Sequence, residues 1–197
     1  MPIRVPADIT RRPDLFLSAK CVVPIPAPHP ARRAALIRAS LDPSVRRISY
    51  LASAVVAGSS VEMDVVMIGR DDGIFALDVV PARAPVTGPQ GLVHRALRDL
   101  GHASLVVTAE DLEAEPARSN RDLVWSHHRR FVPFGLRIRI LQVLRADGPM
   151  ELVGLLENLF TDRDPTPSVL ALACDDLLEL DLETGPLGPS TTVRQRT

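Results

Sequence analysis

The sequence predicts an α/β protein, in which a mixed β-sheet with flanking helices is followed by a small unit of three helices and a hairpin. Residues 61–68 and 74–80 are rich in β-branched residues and flank an Arg-Asp-Asp-Gly turn, which is typical of a β-hairpin. A run with helical spacing at 91–100 separates this hairpin from the apolar run 103–108, so a crossover with a parallel strand pair is expected. Three further apolar helical runs and a short terminal hairpin follow residue 135.

The composition sets the class of protein. The chain has 197 residues, of which 46% are hydrophobic, 24% charged and 4% aromatic, and its formal net charge is −1. It is too apolar for a disordered protein and long enough for one or two small domains. With no apolar run of about 18 residues and no secretory signal, we expect no membrane partner and a cytoplasmic location. Cys21 and Cys174 fit neither a disulfide scaffold nor a metal-ligand spacing, and are expected to be free thiols.

Proline content and charge divide the chain into three parts. Residues 1–30 contain seven of the 18 prolines and are predicted to form an extended arm. Residues 31–135 are predicted to form the α/β domain, with helices over 31–39 and 116–131. Residues 136–197 match a winged helix in their order of elements. The charge supports the second boundary, since 1–135 contains 17 basic and 14 acidic residues, and 136–197 contains 6 and 10.

Two carboxylates, Asp64 and Asp78, interrupt the apolar strands of the hairpin. A buried carboxylate is costly unless it is paired, protonated or bound to a cation. A three-residue loop at 71–73 would place both on one face about 7–8 Å apart, where they could share a divalent ion. A two-residue loop at 72–73 would put them on opposite faces. The alternative interpretation is that one or both lie at an exposed strand end.

These residues resemble the PD-(D/E)xK nuclease signature, which is an Asp followed by a second acid, one spacer and a lysine. Asp64, the Asp-Gly turn and the run ALDVVP, which contains Asp78, carry the resemblance. The order of elements over residues 31–193, with a DPSV corner, the run GHASLVVTAEDL, Asn120 in a helix and a closing winged helix, is similar to that of TnsA-type transposon-end endonucleases. That resemblance implies a restriction-endonuclease-like fold and a connection with transposition.

The resemblance also implies roles for single residues. Asp64 matches the metal-binding Asp and Asp78 the second acid, whereas Val80 stands where the family has a lysine that positions or activates water. The family uses a glutamate on its first helix as a metal ligand, and residues 31–40 contain no acid. The resemblance therefore implies a catalytically degenerate member without a cofactor, or, if the site is active, one that uses Mg²⁺.

Arginine-rich segments predict contacts with DNA. The candidates lie after the hairpin, on the crossover helix and around Trp125: Arg83, Arg95, Arg118, Arg121, Arg129 and Arg130. Trp125 could stack on bases among these cations. The alternative is a solvated outer helix face with Trp125 packed in the core.

The last predicted helix carries acids instead. Asp175, Asp176 and Glu179 belong to a stretch with no arginine between Thr166 and Thr184, so it would repel phosphates. We therefore expect these three residues to bind a protein, and the resemblance implies a partner such as an ATPase regulator.

Together these features predict a non-catalytic DNA-associated adaptor or regulator, which binds DNA through its N-terminal domain and a protein through its winged helix. Two alternatives stay open: an active Mg²⁺-dependent DNA endonuclease that lacks the motif lysine, and a purely protein-binding scaffold. Each is compatible with a homo-oligomer.

Overall fold

The computed structural model describes residues 15–56, 59–80, 97, 101–161 and 163–196. They form a mixed α/β protein with a four-stranded mixed sheet, a three-stranded sheet and a two-stranded ribbon, and six helices lie wholly within them. No helix in these ranges is both long and apolar enough to cross a lipid bilayer.

The proline-rich segment packs on the rest of the molecule from residue 15 onward. Strands β1 (Leu15–Phe16) and β2 (Ile25–Pro26) pair in antiparallel fashion, and Phe16 and Ile25 are buried. Helix α1 (Pro30–Leu41) then begins at a proline, which suits the first turn because it lacks only a donor that the helix does not use. It ends before Pro43, as predicted.

The central sheet has the order β3-β4-β5-β6. Strands β3 (Val45–Val56), β4 (Ser59–Arg70) and β5 (Gly73–Val80) are antiparallel, and β6 (Ala103–Thr108) runs parallel to β5. The predicted hairpin and the predicted parallel pair are confirmed. Sequence reasoning missed β3, because two register shifts along it break the alternation that identifies a strand.

The predicted crossover helix at 91–100 lies outside the described residues except for Leu97. That residue is helical and is buried against Met63, Met67 and Ala76 on one face of the central sheet.

Two short helices follow the sheet. Helix α2 (Ala109–Glu113) starts with a capping box between Thr108 and Asp111, and α3 covers Ala117–Trp125. The predicted helix over 116–131 is therefore six residues shorter at its C-terminal end, and turns cover 126–129. Arg129 and Arg130 consequently lie in the connection after α3 and not on the helix.

The C-terminal unit contains three helices and a second sheet. In chain order its elements are α4 (Phe134–Asp147), β7 (Met150–Glu151), α5 (Leu152–Glu157), α6 (Thr166–Cys174), β8 (Leu178–Leu180) and β9 (Thr192–Gln195). The sheet has the order β7-β9-β8 and is antiparallel. The three helices and terminal hairpin agree with the prediction, although α6 ends at Cys174 and not near residue 178.

One apolar core joins the α/β part to the C-terminal unit. It contains Leu36, Ile48 and Val124 from the first and, among others, Leu155 and Leu172 from the second. All seven residues from 168 to 174 of α6 are buried, and α6 contacts both α3 and α1. The boundary expected near residue 135 therefore separates two stretches of sequence that share one core.

Candidate functional site

Asp64 lies at a bulge in β4 and is held by two side chains. Its φ of 48° is left-handed, and the β3–β4 register shifts beside it, between Leu51 and Ser53. Arg32 Nη1 of α1 donates to both carboxylate oxygens at 3.1 and 3.0 Å, and its Nη2 donates to the Asp64 main-chain oxygen at 3.2 Å. Tyr50 Oη donates to Asp64 Oδ1 at 2.8 Å. The guanidinium thus supplies the positive charge that a bound cation would otherwise supply.

The same contacts set the ionisation of Asp64. Partial burial raises the pKa of Asp64, but the hydrogen bonds from Arg32 and Tyr50 outweigh it and hold the pKa below its ordinary value. Burial, followed by the hydrogen bond to Asp64, raises the pKa of Tyr50. Asp64 is therefore a charged acceptor at neutral pH, with a protonated phenol and a guanidinium as its donors.

The turn of the hairpin differs from the one that would bring the two carboxylates together. Gly73 pairs with Arg70, so the loop consists of residues 71 and 72, and the three-residue loop at 71–73 is wrong. Arg46 of β3 binds Asp71 through Nε at 2.8 Å and Nη2 at 3.0 Å, which holds that residue in the turn. Gly73, with φ of 149°, supplies the backbone conformation at the start of β5.

This register separates Asp64 from Asp78. Ala76 is opposite Met67 and packs on the face that Leu97 covers, and by alternation Asp78 lies on that face too. Asp64, in contrast, reaches Arg32 on the face that α1 covers. The expectation that the two carboxylates share a divalent ion is therefore corrected. In the described parts of the chain, no group of three or more histidine, cysteine or acidic residues could hold a metal ion.

The predicted DNA-binding arginines have different surroundings. Arg83 and Arg95 lie outside the described residues. Arg118 is half exposed and forms ion pairs with Glu113 and with Asp122, the second at 4.0 Å. Arg129 and Arg130 are exposed.

Arg121 has a structural role. Only 6% of its side chain is exposed, and its Nη2 donates to the Leu112 carbonyl oxygen at 2.9 Å. Its Nη1 lies 3.4 Å from Glu183 Oε1, and burial lowers its pKa. Because this guanidinium connects α2 and α3 to the loop after β8, it cannot also neutralise a phosphate at the surface. The expected DNA contact is corrected here.

Trp125 belongs to the core. It is 7% exposed, and its ring stacks with Phe16, at a centroid distance of 5.3 Å, and with His128, at 4.7 Å. The interpretation of Trp125 as a packed residue is confirmed, and its ring faces are not available to bases.

The acids expected to bind a partner are mostly used within the chain. Asp176 Oδ1 lies 3.3 Å from Lys20 Nζ and 3.3 Å from Arg196 Nε. Glu179 pairs with Arg196 at 2.9 Å and also with Arg194. Because α6 ends at Cys174, these acids lie at and beyond its end, where they face cations of other segments. Asp175 is exposed.

Lys20, the single lysine of the chain, is at the centre of this ion cluster. Only 2% of its side chain is exposed, and Nζ donates to the Asp42 carbonyl oxygen at 2.6 Å. Burial lowers the pKa of Lys20, while the nearby Asp176 opposes that change. Lys20 thereby connects the N-terminal segment, the corner after α1 and the turn after α6.

Asn120 anchors the loop between β8 and β9. Its Nδ2 donates to the carbonyl oxygens of Leu182 and Gly185 at 2.9 and 2.8 Å, and its Oδ1 accepts from the Leu187 amide at 2.7 Å. The side chain is buried and makes three hydrogen bonds. This asparagine therefore joins α3 to the C-terminal unit.

Sequence reasoning missed an exposed aromatic pair beside the arginines. Phe131 and Phe134 are 83% and 75% exposed, although phenylalanine is usually buried. Arg129 and Arg130 precede them and Arg137 follows one helical turn later, and all three are exposed. We call these five residues the basic–aromatic surface. The sequence does contain a signal for it, because residues 123–146 include five arginines and no acid.

The electrostatics of this surface favour an anion. The first turn of α4 has no acidic residue, so its positive dipole end adds to the arginine charges. Two carboxylates border the surface. A hydrogen bond from Thr166 lowers the pKa of Asp164, with a smaller contribution from Arg130. Burial raises the pKa of Asp175, and Arg137 opposes that shift.

A cleft of about 560 Å³ lies between α1 and β8. Cations and carboxylates line it together, among them Arg38, Arg194, Glu179 and Glu183. Because its charges are mixed and Glu179 is already paired, this cleft is better explained as a gap between packed elements than as a binding site for a charged ligand.

No protein-family model matches the sequence, and no curated protein is significantly similar to it.

Proposed function

We propose that this protein is a non-catalytic DNA-binding adaptor that contacts DNA through its basic–aromatic surface. The observation that carries the proposal is the exposure of Arg129, Arg130 and Arg137 in a stretch free of acids. Several exposed guanidiniums on one surface neutralise phosphates and release counterions, which is the main source of sequence-independent affinity for DNA.

The environment of Asp64 supports the non-catalytic part of the proposal. A metal ion there would have to displace the Arg32 guanidinium, which contacts both carboxylate oxygens. Val80 provides no group that could activate water, and Asp78 lies on the other face of the sheet. The arrangement supports a retired nuclease site in which an internal ion pair has replaced the metal.

The order of elements supports a fold similar to that of the TnsA-type family. A helix, an antiparallel hairpin and a parallel strand are compatible with a restriction-endonuclease-like domain, and the order α4-β7-α5-α6-β8-β9 is compatible with a winged helix. Helix α6 would be the groove-reading helix of a DNA-binding winged helix, but it is buried against α3 and α1. Helix α6 and the turn after it are therefore proposed to act through protein contacts, for which Asp175 is the exposed acid that remains.

Salt-dependent binding tests the DNA proposal. We expect wild-type protein to bind a labelled duplex with an affinity that falls steeply as the salt concentration rises. The double variant Arg129→Ala/Arg130→Ala should reduce the slope of log K against log salt by about 2, since each phosphate contact contributes about 0.9. Arg47→Ala, which removes an exposed arginine from β3, is the matched control and should leave the slope near the wild-type value.

Two results would contradict the proposal. Binding that is absent, or that is equally strong at low and high salt, would favour the protein-binding scaffold. Nicking of supercoiled DNA in Mg²⁺ or Mn²⁺ that disappears in Asp64→Ala would establish the endonuclease instead.

A further inference from the structure

We infer that the basic–aromatic surface binds single-stranded DNA, with Phe131 and Phe134 as the platform on which unpaired bases stack. This inference rests on the proposed function, and it adds the class of DNA that the surface selects.

Both phenyl rings are exposed to solvent. Each is at least three-quarters exposed, and Ile138, one turn after Phe134, is also exposed. Neighbouring apolar side chains that stay exposed indicate a binding surface, since leaving them in water costs free energy that burial would recover. A phenyl ring has no hydrogen-bonding group, so it recognises the face of a base and not its edge.

A duplex cannot use such rings without being distorted. Its bases stack on each other inside the helix, and its phosphates face outward, so only the arginines would contact it. Unpaired bases have free faces, and base–aromatic stacking is how sequence-tolerant single-strand proteins hold them. The rings therefore favour single-stranded over double-stranded DNA.

The order of the side chains matches a single strand. Arg129 and Arg130 come directly before Phe131, and Arg137 is three residues after Phe134 on α4, where i and i+3 side chains are neighbours. Cations thus precede and follow the two rings along the chain, and a single strand offers both phosphates and free base faces. A third exposed ring, Phe160, is 86% exposed and follows Leu159, whose carbonyl oxygen accepts a hydrogen bond from Arg139 of α4 at 2.9 Å.

The charge distinguishes nucleic acid from a protein as the occupant. A purely apolar protein interface needs no cations, whereas three exposed arginines, Arg129, Arg130 and Arg137, accompany these rings. They outnumber the two carboxylates that border the surface, Asp164 near Arg130 and Asp175 near Arg137. A polyanion that also has flat apolar faces satisfies both features, and single-stranded DNA is such a molecule.

The test compares an oligothymidylate of about 16 nucleotides with a duplex of the same length, by fluorescence anisotropy on the full chain. We expect the single strand to bind more tightly. Phe131→Ala and Phe134→Ala should each weaken single-strand binding about fivefold or more, and change duplex binding by less than about twofold. Phe131→Tyr and Phe134→Tyr should retain the affinity, because tyrosine also stacks.

Two controls separate stacking from a general loss of structure. Leu123→Ala removes a half-exposed apolar side chain from α3 and should not change binding. A 2-aminopurine base in the single strand should lose fluorescence on stacking with the wild-type protein, and this quenching should decrease in the Phe→Ala variants.

The outcomes distinguish this inference from the proposed function. Equal salt-dependent binding of both DNAs that is unaffected by the Phe→Ala variants would overturn the single-strand inference and leave the DNA-binding adaptor intact. Failure to bind either DNA would overturn both.

Discussion

At the scale of single residues, Asp64 shows how much of a site a sequence can reveal. Its position inside an apolar strand predicts a buried carboxylate that needs a partner. The Asp64 side chain is in fact 58% exposed, although it does have a partner. The partner is Arg32, which lies 32 positions away on a different element. Local patterns cannot identify it, because the contact depends on how α1 packs on the sheet and on a bulge that turns Asp64 toward it.

We expect Arg32→Ala to raise the pKa of Asp64, since burial would then be opposed only by the hydrogen bond from Tyr50 and by the smaller contribution of His29. A lowered carboxyl pKa stabilises the folded state above the unfolded pKa, and this stability is lost as the pH falls through the folded pKa. The side chain of Asp64 is 58% exposed, so the loss at pH 7 should not exceed about 1 kcal/mol.

NMR titration of the Asp64 carboxyl and denaturation at pH 7 and pH 3 would measure these effects. Arg33→Ala is the matched control, because the Arg33 guanidinium lies over the Phe16 ring, 5.9 Å from its centroid. An Asp64 titration that is the same in Arg32→Ala and wild type would show that the ion pair does not control this carboxyl.

At the scale of elements, periodicity predicts helices better than it predicts what covers them. Helix α6 could be located from its Thr166-Pro167 start, but its nearly uniform apolar sequence does not indicate which elements bury it. Helix α3 covers part of α6, and it also supplies Asn120 to the loop beyond β8. The C-terminal unit is thus attached by a helix that the sequence assigns to the preceding domain.

Asn120→Ala should lower the free energy of unfolding by about 2–4 kcal/mol, because it leaves two carbonyl oxygens and an amide without their partner. Chemical denaturation would measure this loss. Ser119→Ala, at an exposed position next to it, should change stability by less than about 0.5 kcal/mol. Equal stability of the two variants would mean that water replaces the asparagine at little cost.

At the scale of the whole molecule, one core and one ion cluster unite parts that the sequence presents as separate. The β4–β5 hairpin, the parallel pair and the C-terminal helices could be predicted, since each depends on residues near in sequence. The shared core could not, because it joins residues as distant as Phe16 and Val193. The sequence predicts a protein-binding role for Asp176 for the same reason, because its partner Lys20 lies far along the chain. The partners of Glu179, Arg194 and Arg196, are only 15 and 17 positions away.

We therefore expect residues 136–197 expressed alone to lack a stable fold, whereas the full chain unfolds in one transition. Circular dichroism and the dispersion of amide NMR signals would test this. Cys174 provides a further reporter, because burial raises the pKa of its thiol to about 12 and its Sγ donates to the Val124 carbonyl oxygen of α3. The thiol should resist alkylation at neutral pH in the full chain and react in the fragment. A well-dispersed fragment with a protected Cys174 would show two independent domains.

The burial of Lys20 also affects how the protein can be modified in a cell. Acetyltransferases and ubiquitin ligases need an accessible ε-amine, and the only lysine in this sequence is enclosed between Asp42 and Asp176. Acylation of that amine would require the N-terminal segment to separate from the turn after α6. The rate at which Lys20 is acylated therefore measures how often the folded chain opens at this point.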